Sequence, residues 1–173
     1  MTGFFPGDRM ALRRMYAEAW RRHQESLPME PIDLQIAEIV GRHPEYHRVV
    51  EQSQESLTRD WAPEDGETNP FLHMGMHLAI REQVATDRPS GIARVHADLR
   101  HRLGDEHLAE HLMMECLGEA LWRAQRNGIP PDEDAYIDLV RSDQTTVLTP
   151  SARIHFDVAD PLTHTTSMRF YTQ

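Results

Sequence analysis

Two pairs of histidines with the same spacing, His73/His77 and His107/His111, stand out among the eleven histidines of this chain. Residues four positions apart on a helix point about 40° from each other, one turn above the other. Each pair would therefore present two imidazoles on a single helix face. Because imidazole is the commonest metal ligand in proteins, the spacing predicts two histidine pairs that bind metal.

The first pair lies on an apolar helix face, in line with Ile80 and Val84 of the same segment. The second pair is flanked by leucines and methionines. A buried imidazole needs a partner, because burying a polar group without one is costly. A metal ion shared by both pairs would satisfy several of these groups at once. The alternative is a hydrogen-bonded polar layer of the core without metal.

The order of helices indicates that the two pairs can meet. One further helix joins the two histidine-bearing helices through short loops, and two reversals of direction leave those helices parallel. Both pairs occupy the first two turns, so they fall at the same depth of the bundle. The helix that starts at Pro44 runs the other way, and we expect its Glu51 to reach the same layer.

Two carboxylates and one more histidine complete the predicted site. Glu51 and Glu115 are the predicted carboxylate ligands, and His47, one turn from Glu51, is a further candidate. Glu82 is expected to lie behind the ligands and orient an imidazole. Such a set suits iron, manganese or zinc, and the excess of histidines favours iron or zinc. We expect iron, with a dinuclear centre as one form. Calcium and magnesium, which prefer oxygen ligands, are disfavoured.

The remaining histidines are given structural roles. His43, in the string HPEYH, is expected to mark the start of a helix, and His23 is expected to cap the bundle. His96 and His101 are expected to be exposed. Cys116 points away from the second histidine pair by helix spacing, which indicates a small core residue.

Apolar residues repeat with helical spacing along most of the chain, which predicts an all-α bundle of about six helices. The expected segments are approximately 7–26, 32–40, 44–57, 70–86, 90–103, 105–127 and one after Pro131. Asn69-Pro70 predicts a helix start, because asparagine is a good cap and proline is tolerated in the first turn. Residues 1–143 are predicted to form one domain. The threonine-rich residues 144–173 are predicted to be a mobile tail of low order, with a short strand at 153–158 as the alternative.

Composition excludes several classes of function. The formal net charge is −10, with 18 Lys and Arg against 28 Asp and Glu, which argues against a nucleic-acid partner. The local basic positions Arg13, Arg14, Arg21 and Arg22 are expected to form the solvated side of the first helix. No apolar run is long enough to span a membrane, and no signal peptide is evident. A single cysteine fits a reducing compartment, so a cytoplasmic protein is expected.

Several strings resemble a family of short bacterial proteins that is known only as a domain of unknown function. They are HPEYH (43–47), NPFLHMGMHLAIREQ (69–83), DRPSGI (87–92) and EHLMMECLGEALWRAQRNG (110–128). The resemblance covers about residues 5–142 and implies a helical cytoplasmic protein. Residues from 144 onward do not resemble that family.

The order of the ligand-type residues also resembles hemerythrin-type metal-binding bundles. That pattern would use His23, His47 with Glu51, the pair His73/His77, and His111 with Glu115. The final acid follows at four residues rather than five, and an extra helix intervenes. The resemblance is therefore an analogy of ligand chemistry.

These patterns predict a histidine and glutamate metal centre with an oxygen-, redox- or metal-sensing role, or an oxidase-like activity. A metal-free module that binds a protein partner through an exposed helix face is the alternative. A zinc hydrolase is a third possibility. It would need an open coordination position beside a general base, for which Glu115 and Glu82 are the candidates.

Overall fold

The structure, a computed structural model, describes residues 6–51, 61 and 69–146. Every regular element in these residues is helical, which confirms the prediction of an all-α fold. The helices are α1 (Pro6–Gln24), α2 (Pro31–Arg42), a 3-10 turn (Pro44–Tyr46), α3 (His47–Glu51), α4 (Pro70–Thr86), α5 (Ile92–Leu103), α6 (Glu106–Asn127) and α7 (Glu133–Thr146). Helix α7 continues past the predicted boundary at residue 143. The rest of the predicted tail, with its alternative strand at 153–158, lies outside the described residues.

The chain divides into two compact units, and the division falls inside α4. Unit 1 is Met1–Leu78 and unit 2 is Ala79–Gln173. The described helices of unit 1 are α1, α2, the 3-10 turn, α3 and the first half of α4. Unit 2 has the second half of α4 together with α5, α6 and α7. The single domain at 1–143 therefore stays a prediction.

The core of unit 1 forms where α1, α2 and α4 bury one apolar side each. Tyr16 and Trp20 come from α1, Ile36 and Val40 from α2, and Met74 from α4. Helix α2 begins with a proline in its first turn and a reciprocal cap between Glu30 and Asp33. Such a cap satisfies backbone N–H groups that have no partner inside the helix.

Polar and glycine residues set the bounds of the helices that carry the histidine pairs. Asn69 Oδ1 accepts hydrogen bonds from the N–H groups of Phe71 and Leu72, which caps α4 as predicted. Asp105 caps α6 by accepting from the N–H of Leu108 at 3.0 Å. Helix α6 ends at Gly128, which adopts a left-handed conformation at φ 64° that favours glycine. Both histidine pairs are therefore held in the first turns of well-capped helices.

The core of unit 2 joins α5, α6 and α7. Buried side chains include Leu99 of α5, Met113 of α6 and Val140 of α7. Tyr136 of α7 is buried, and its hydroxyl donates to Gln83 Oε1 of α4 at 3.0 Å. Burial raises the pKa of the Tyr136 hydroxyl, so the group stays protonated and can donate.

The outer face of α1 carries a network of exposed charges. Arg21 and Arg22 both pair with Glu18, and Arg21 also pairs with Glu25. The expectation that all the arginines of this helix are solvated is wrong for Arg13, which is buried. Its guanidinium lies 5.3 Å from the centre of the Phe71 ring. A cation can lie on an aromatic face in this way when its stem is buried. None of the helices in the described part of the chain combines the length and apolarity needed to cross a membrane.

The burial of unit 2 gives a stability prediction with a matched control. Leu99 is fully buried, so Leu99→Ala leaves a cavity and is expected to lower the free energy of unfolding by about 2–5 kcal/mol. Leu108 is 53% exposed, so the same substitution there should change it by less than about 0.5 kcal/mol. Urea unfolding followed by circular dichroism measures both. Equal losses in the two variants would contradict the assigned core.

Candidate metal centre

His43 lies at the junction between α2 and the 3-10 turn. Its backbone, at φ −120° and ψ 68°, leaves the helical conformation, while its N–H still donates to the carbonyl of Val40. Its own carbonyl accepts the N–H of Tyr46 at 2.9 Å, which closes the turn that Pro44 begins. The side chain of His43 is only 2% exposed. Because His43 lies between α2 and the 3-10 turn, the position of its imidazole does not follow the spacing of either element.

Both ring nitrogens of His43 have a polar neighbour. Nδ1 donates to Glu45 Oε1 at 2.8 Å, and Nε2 lies 3.0 Å from Nε2 of His77, which is fully buried on α4. Two ring nitrogens at this distance need a proton or a cation between them, because two lone pairs would repel and two N–H groups would clash. The predicted ligand His77 therefore faces another histidine.

His73 completes a histidine cluster of unit 1, made of His43, His73 and His77. The ring of His73 lies 4.7 Å from that of His43 and 5.1 Å from that of His77. Tyr46 stacks on His43 at 5.3 Å and meets His73 edge to face at 5.6 Å. Burial, and secondly the charge of Glu45, raises the pKa of Tyr46 to about 12. The phenol is thus neutral at ordinary pH.

The rings of the second predicted pair are neighbours within unit 2. His107 and His111 lie in the first turns of α6, both half-buried, and their ring centres are 4.3 Å apart. Each ring offers one ligand nitrogen within 4.8 Å of the other's. Helical spacing alone places these two rings side by side, because both residues lie in the first turns of α6 and follow its periodicity.

A buried ion pair lies beside the second pair on α6. Glu110, whose side chain is 3% exposed, accepts from Arg81 Nε of α4 at 2.8 Å. His96 of α5 is also buried, which corrects the expectation that it is exposed. Desolvation lowers the pKa of His96, and the charges of Glu106 and Glu110 partly offset that effect. The apolar spacing of α5 alone gave no sign that this histidine faces acids of α6.

Two of the predicted ligands, His47 and Glu51, form hydrogen bonds with residues of α1 and α2. His47 donates from Nε2 to the carbonyl of Val40 at 2.9 Å, and its ring lies 4.5 Å from that of Trp20. Glu51 is exposed, and its Oε1 accepts from Trp20 and from Gln24, each at 3.0 Å. These hydrogen bonds, that of Trp20 foremost, hold the pKa of Glu51 below its ordinary range. We leave both residues out of the ligand set, since neither has a described contact with the cluster.

The other two predicted carboxylates have different environments. Glu115 is half-buried on α6, one turn after His111. Glu82 is exposed on α4. The carboxylate bonded to a histidine of the cluster is instead Glu45, which the sequence did not single out. Its position two residues after His43 is the signal that could have pointed to it.

The spacing of the two facing nitrogens fits a metal ion. With metal–nitrogen bonds of about 2.0–2.1 Å, two ligands 3.0 Å apart subtend an angle of about 90° at the ion. That angle belongs to octahedral or square-planar coordination, whereas a tetrahedral ion would place its ligands about 3.4 Å apart. The pair therefore needs only a small adjustment to accept either geometry.

Comparison with known proteins gives one family. A family model described as "Domain of unknown function (DUF1841)" matches residues 8–142. The match confirms the resemblance to a family of unknown function that the sequence strings indicated. No curated protein matches, and no solved structure matches.

The Arg81–Glu110 pair gives a second stability prediction. Arg81→Ala removes a guanidinium from a buried carboxylate, so the free energy of unfolding should fall by about 3–5 kcal/mol at pH 7. Replacing both residues by methionine should recover much of that loss. Arg123→Ala is the control, because its pair with Glu119 is exposed and should contribute less than about 1 kcal/mol. A loss at Arg81 no larger than at Arg123, by urea unfolding, would contradict the importance of the buried pair.

The titration of His96 gives a prediction with a defined sign. Its pKa is expected below the ordinary value of about 6.5, so the unfolded chain takes up its proton first and stability falls as the pH drops below 6.5. Glu106→Gln removes a charge that raises this pKa, so it should lower the pKa of His96 further. Proton NMR titration of the ring measures the pKa in the wild type, in Glu106→Gln and in the control Glu119→Gln. A pKa above 6.5, or a response to the control alone, would be evidence against this environment.

Proposed function

We propose that this chain, which belongs to the family described as "Domain of unknown function (DUF1841)", is a metal-binding protein. The proposed ligands are ring nitrogens of two histidine pairs, His43 and His77 in unit 1 and His107 and His111 in unit 2. The ligand set keeps three of the residues predicted from the sequence and replaces His73 by His43.

The observation that carries the proposal is the contact between His43 and His77. Both rings are buried, and their Nε2 atoms face each other at 3.0 Å. A divalent ion bound by both nitrogens would separate the two lone pairs, as a shared proton does. It also releases more free energy, because metal–ligand bonds replace one hydrogen bond.

The second pair supports the proposal with a further two nitrogens. His107 and His111 are half-buried and stacked one turn apart on α6, so both can turn a nitrogen toward one point. His73, beside His43 and His77, is the residue that would fill a further position.

The donor set favours a borderline-soft transition ion. Imidazole suits iron, zinc, copper and nickel, whereas calcium and magnesium require oxygen ligands. We propose iron(II), because imidazole ligands suit it and the facing nitrogens need only a small adjustment to bind it. Positions of such an ion that no histidine fills would be open. A small ligand such as dioxygen could bind there, which would support an oxygen-, redox- or metal-sensing role.

Zinc is the alternative ion, with a different consequence. Zinc sites whose four positions are all filled by protein ligands are structural. The identity of the metal therefore determines the role of the centre. Iron with open positions would be reactive, and zinc in a closed site would stabilise the fold.

Metal titration of the purified full chain tests the proposal. The chain is first stripped with chelator and then loaded with iron(II) under nitrogen, or with zinc or cobalt(II) in parallel. Elemental analysis is expected to give about one ion per chain in the wild type. His77→Ala and His107→Gln should each reduce metal binding at least 10-fold at the histidine pair that the substitution alters, because each removes a ligand.

His101→Ala is the matched control, since this histidine is exposed on α5. It should bind metal as the wild type does, and circular dichroism should show equal helix content in all variants. Wild-type binding no stronger than that of a His77→Ala/His107→Gln double variant would overturn the proposal.

A further inference from the structure

Glu45 connects the buried cluster of unit 1 to the surface. It lies in the 3-10 turn, two residues after His43, and its side chain is 56% exposed while that of His43 is 2% exposed. The Oε1···Nδ1 distance of 2.8 Å is that of a strong, charge-assisted hydrogen bond. The carboxylate thus touches an imidazole that is itself out of reach of solvent.

This contact determines which nitrogen of His43 carries the proton. An ionised carboxylate only accepts hydrogen bonds, so Nδ1 of His43 must donate. In the neutral imidazole the lone pair is then on Nε2, the atom that faces His77 at 3.0 Å. Without an acceptor at Nδ1 the proton could occupy either nitrogen, and only one of these two forms presents a lone pair to His77.

The rings around His43 fix its orientation independently. Tyr46 stacks on one face with an angle of 20° between the planes, and His73 meets the ring edge to face at 83°. These contacts restrict rotation of the ring, while the bond to Glu45 decides its tautomer. Orientation and protonation are therefore set by different neighbours.

We propose that Glu45 is a positioning residue of the metal centre, which holds His43 as the Nδ1–H tautomer so that Nε2 is the ligand atom. This inference rests on the proposed function. It assigns to Glu45 the part that carboxylates have behind metal-binding histidines in general, where they orient the ring and increase its basicity.

Titration of the chelator-treated full chain with cobalt(II), followed by its absorption, tests the effect on affinity. Glu45→Ala should weaken binding about 10- to 100-fold. Glu45→Gln keeps an oxygen that accepts from Nδ1 and loses the charge, so it should weaken binding less. Glu38→Gln is the control, because this acid is exposed on α2 and pairs with Arg42. Cobalt affinity of Glu45→Ala equal to that of the wild type would overturn the inference and leave the proposed function standing.

A second measurement needs no metal. Long-range proton–nitrogen NMR of the metal-free protein distinguishes the two tautomers of His43 by the shifts of the ring nitrogens. The wild type and Glu45→Gln should show the proton on Nδ1, and Glu45→Ala should show a mixture or the other tautomer. A wild type with Nδ1 unprotonated overturns the inference directly. A wild type with this tautomer that binds no cobalt, iron or zinc removes the metal centre, and the proposed function and the positioning role fail together.

Discussion

Two imidazoles facing each other inside unit 1 impose a constraint on everything around them. The Nε2 atoms of His43 and His77 lie 3.0 Å apart where solvent does not reach. Such a pair is stable only with one positive particle between the rings, because either two lone pairs or two protons would cost the full penalty of an unsatisfied buried group. In the metal-free protein that particle is a proton. In the proposed metal-bound form, the ion would take its place.

The junction between α2 and the 3-10 turn places the ring of His43, and α4 places the ring of His77. Helix α2 stops at Arg42, and Pro44 starts a 3-10 turn because its fixed φ suits a first helical turn. His43 is left between them with freedom that a residue inside a helix does not have. His77, in contrast, is fixed by α4 and its cap at Asn69. One ring is thus placed by a junction and the other by a regular helix.

This difference explains what the sequence could predict. His77, His107 and His111 were predicted because they follow helical spacing behind clear start signals at Asn69-Pro70 and Asp105. His43 was missed because periodicity has no meaning at a junction between two elements.

The neighbours of His47 and Glu51 differ from those predicted, for a related reason. The segment after Pro44 was read as a single α-helix, but it opens as a 3-10 turn, in which residues three apart eclipse. The change of pitch rotates α3 relative to the expected single helix. His47 and Glu51 therefore both contact Trp20. His96 was misjudged because its acidic neighbours come from α6, and long-range contacts of this kind leave no mark on local spacing.

Charge decides which oxidation state the proposed centre would favour. Neutral imidazoles would leave the full charge of an ion uncompensated, and burying charge is costly. Glu45 lies on the far side of His43, where its negative charge would stabilise a bound ion without binding it. A triply charged iron would keep more uncompensated charge in the same surroundings than a doubly charged one. If the proposed ion is iron, neutral imidazoles would therefore favour iron(II) over iron(III).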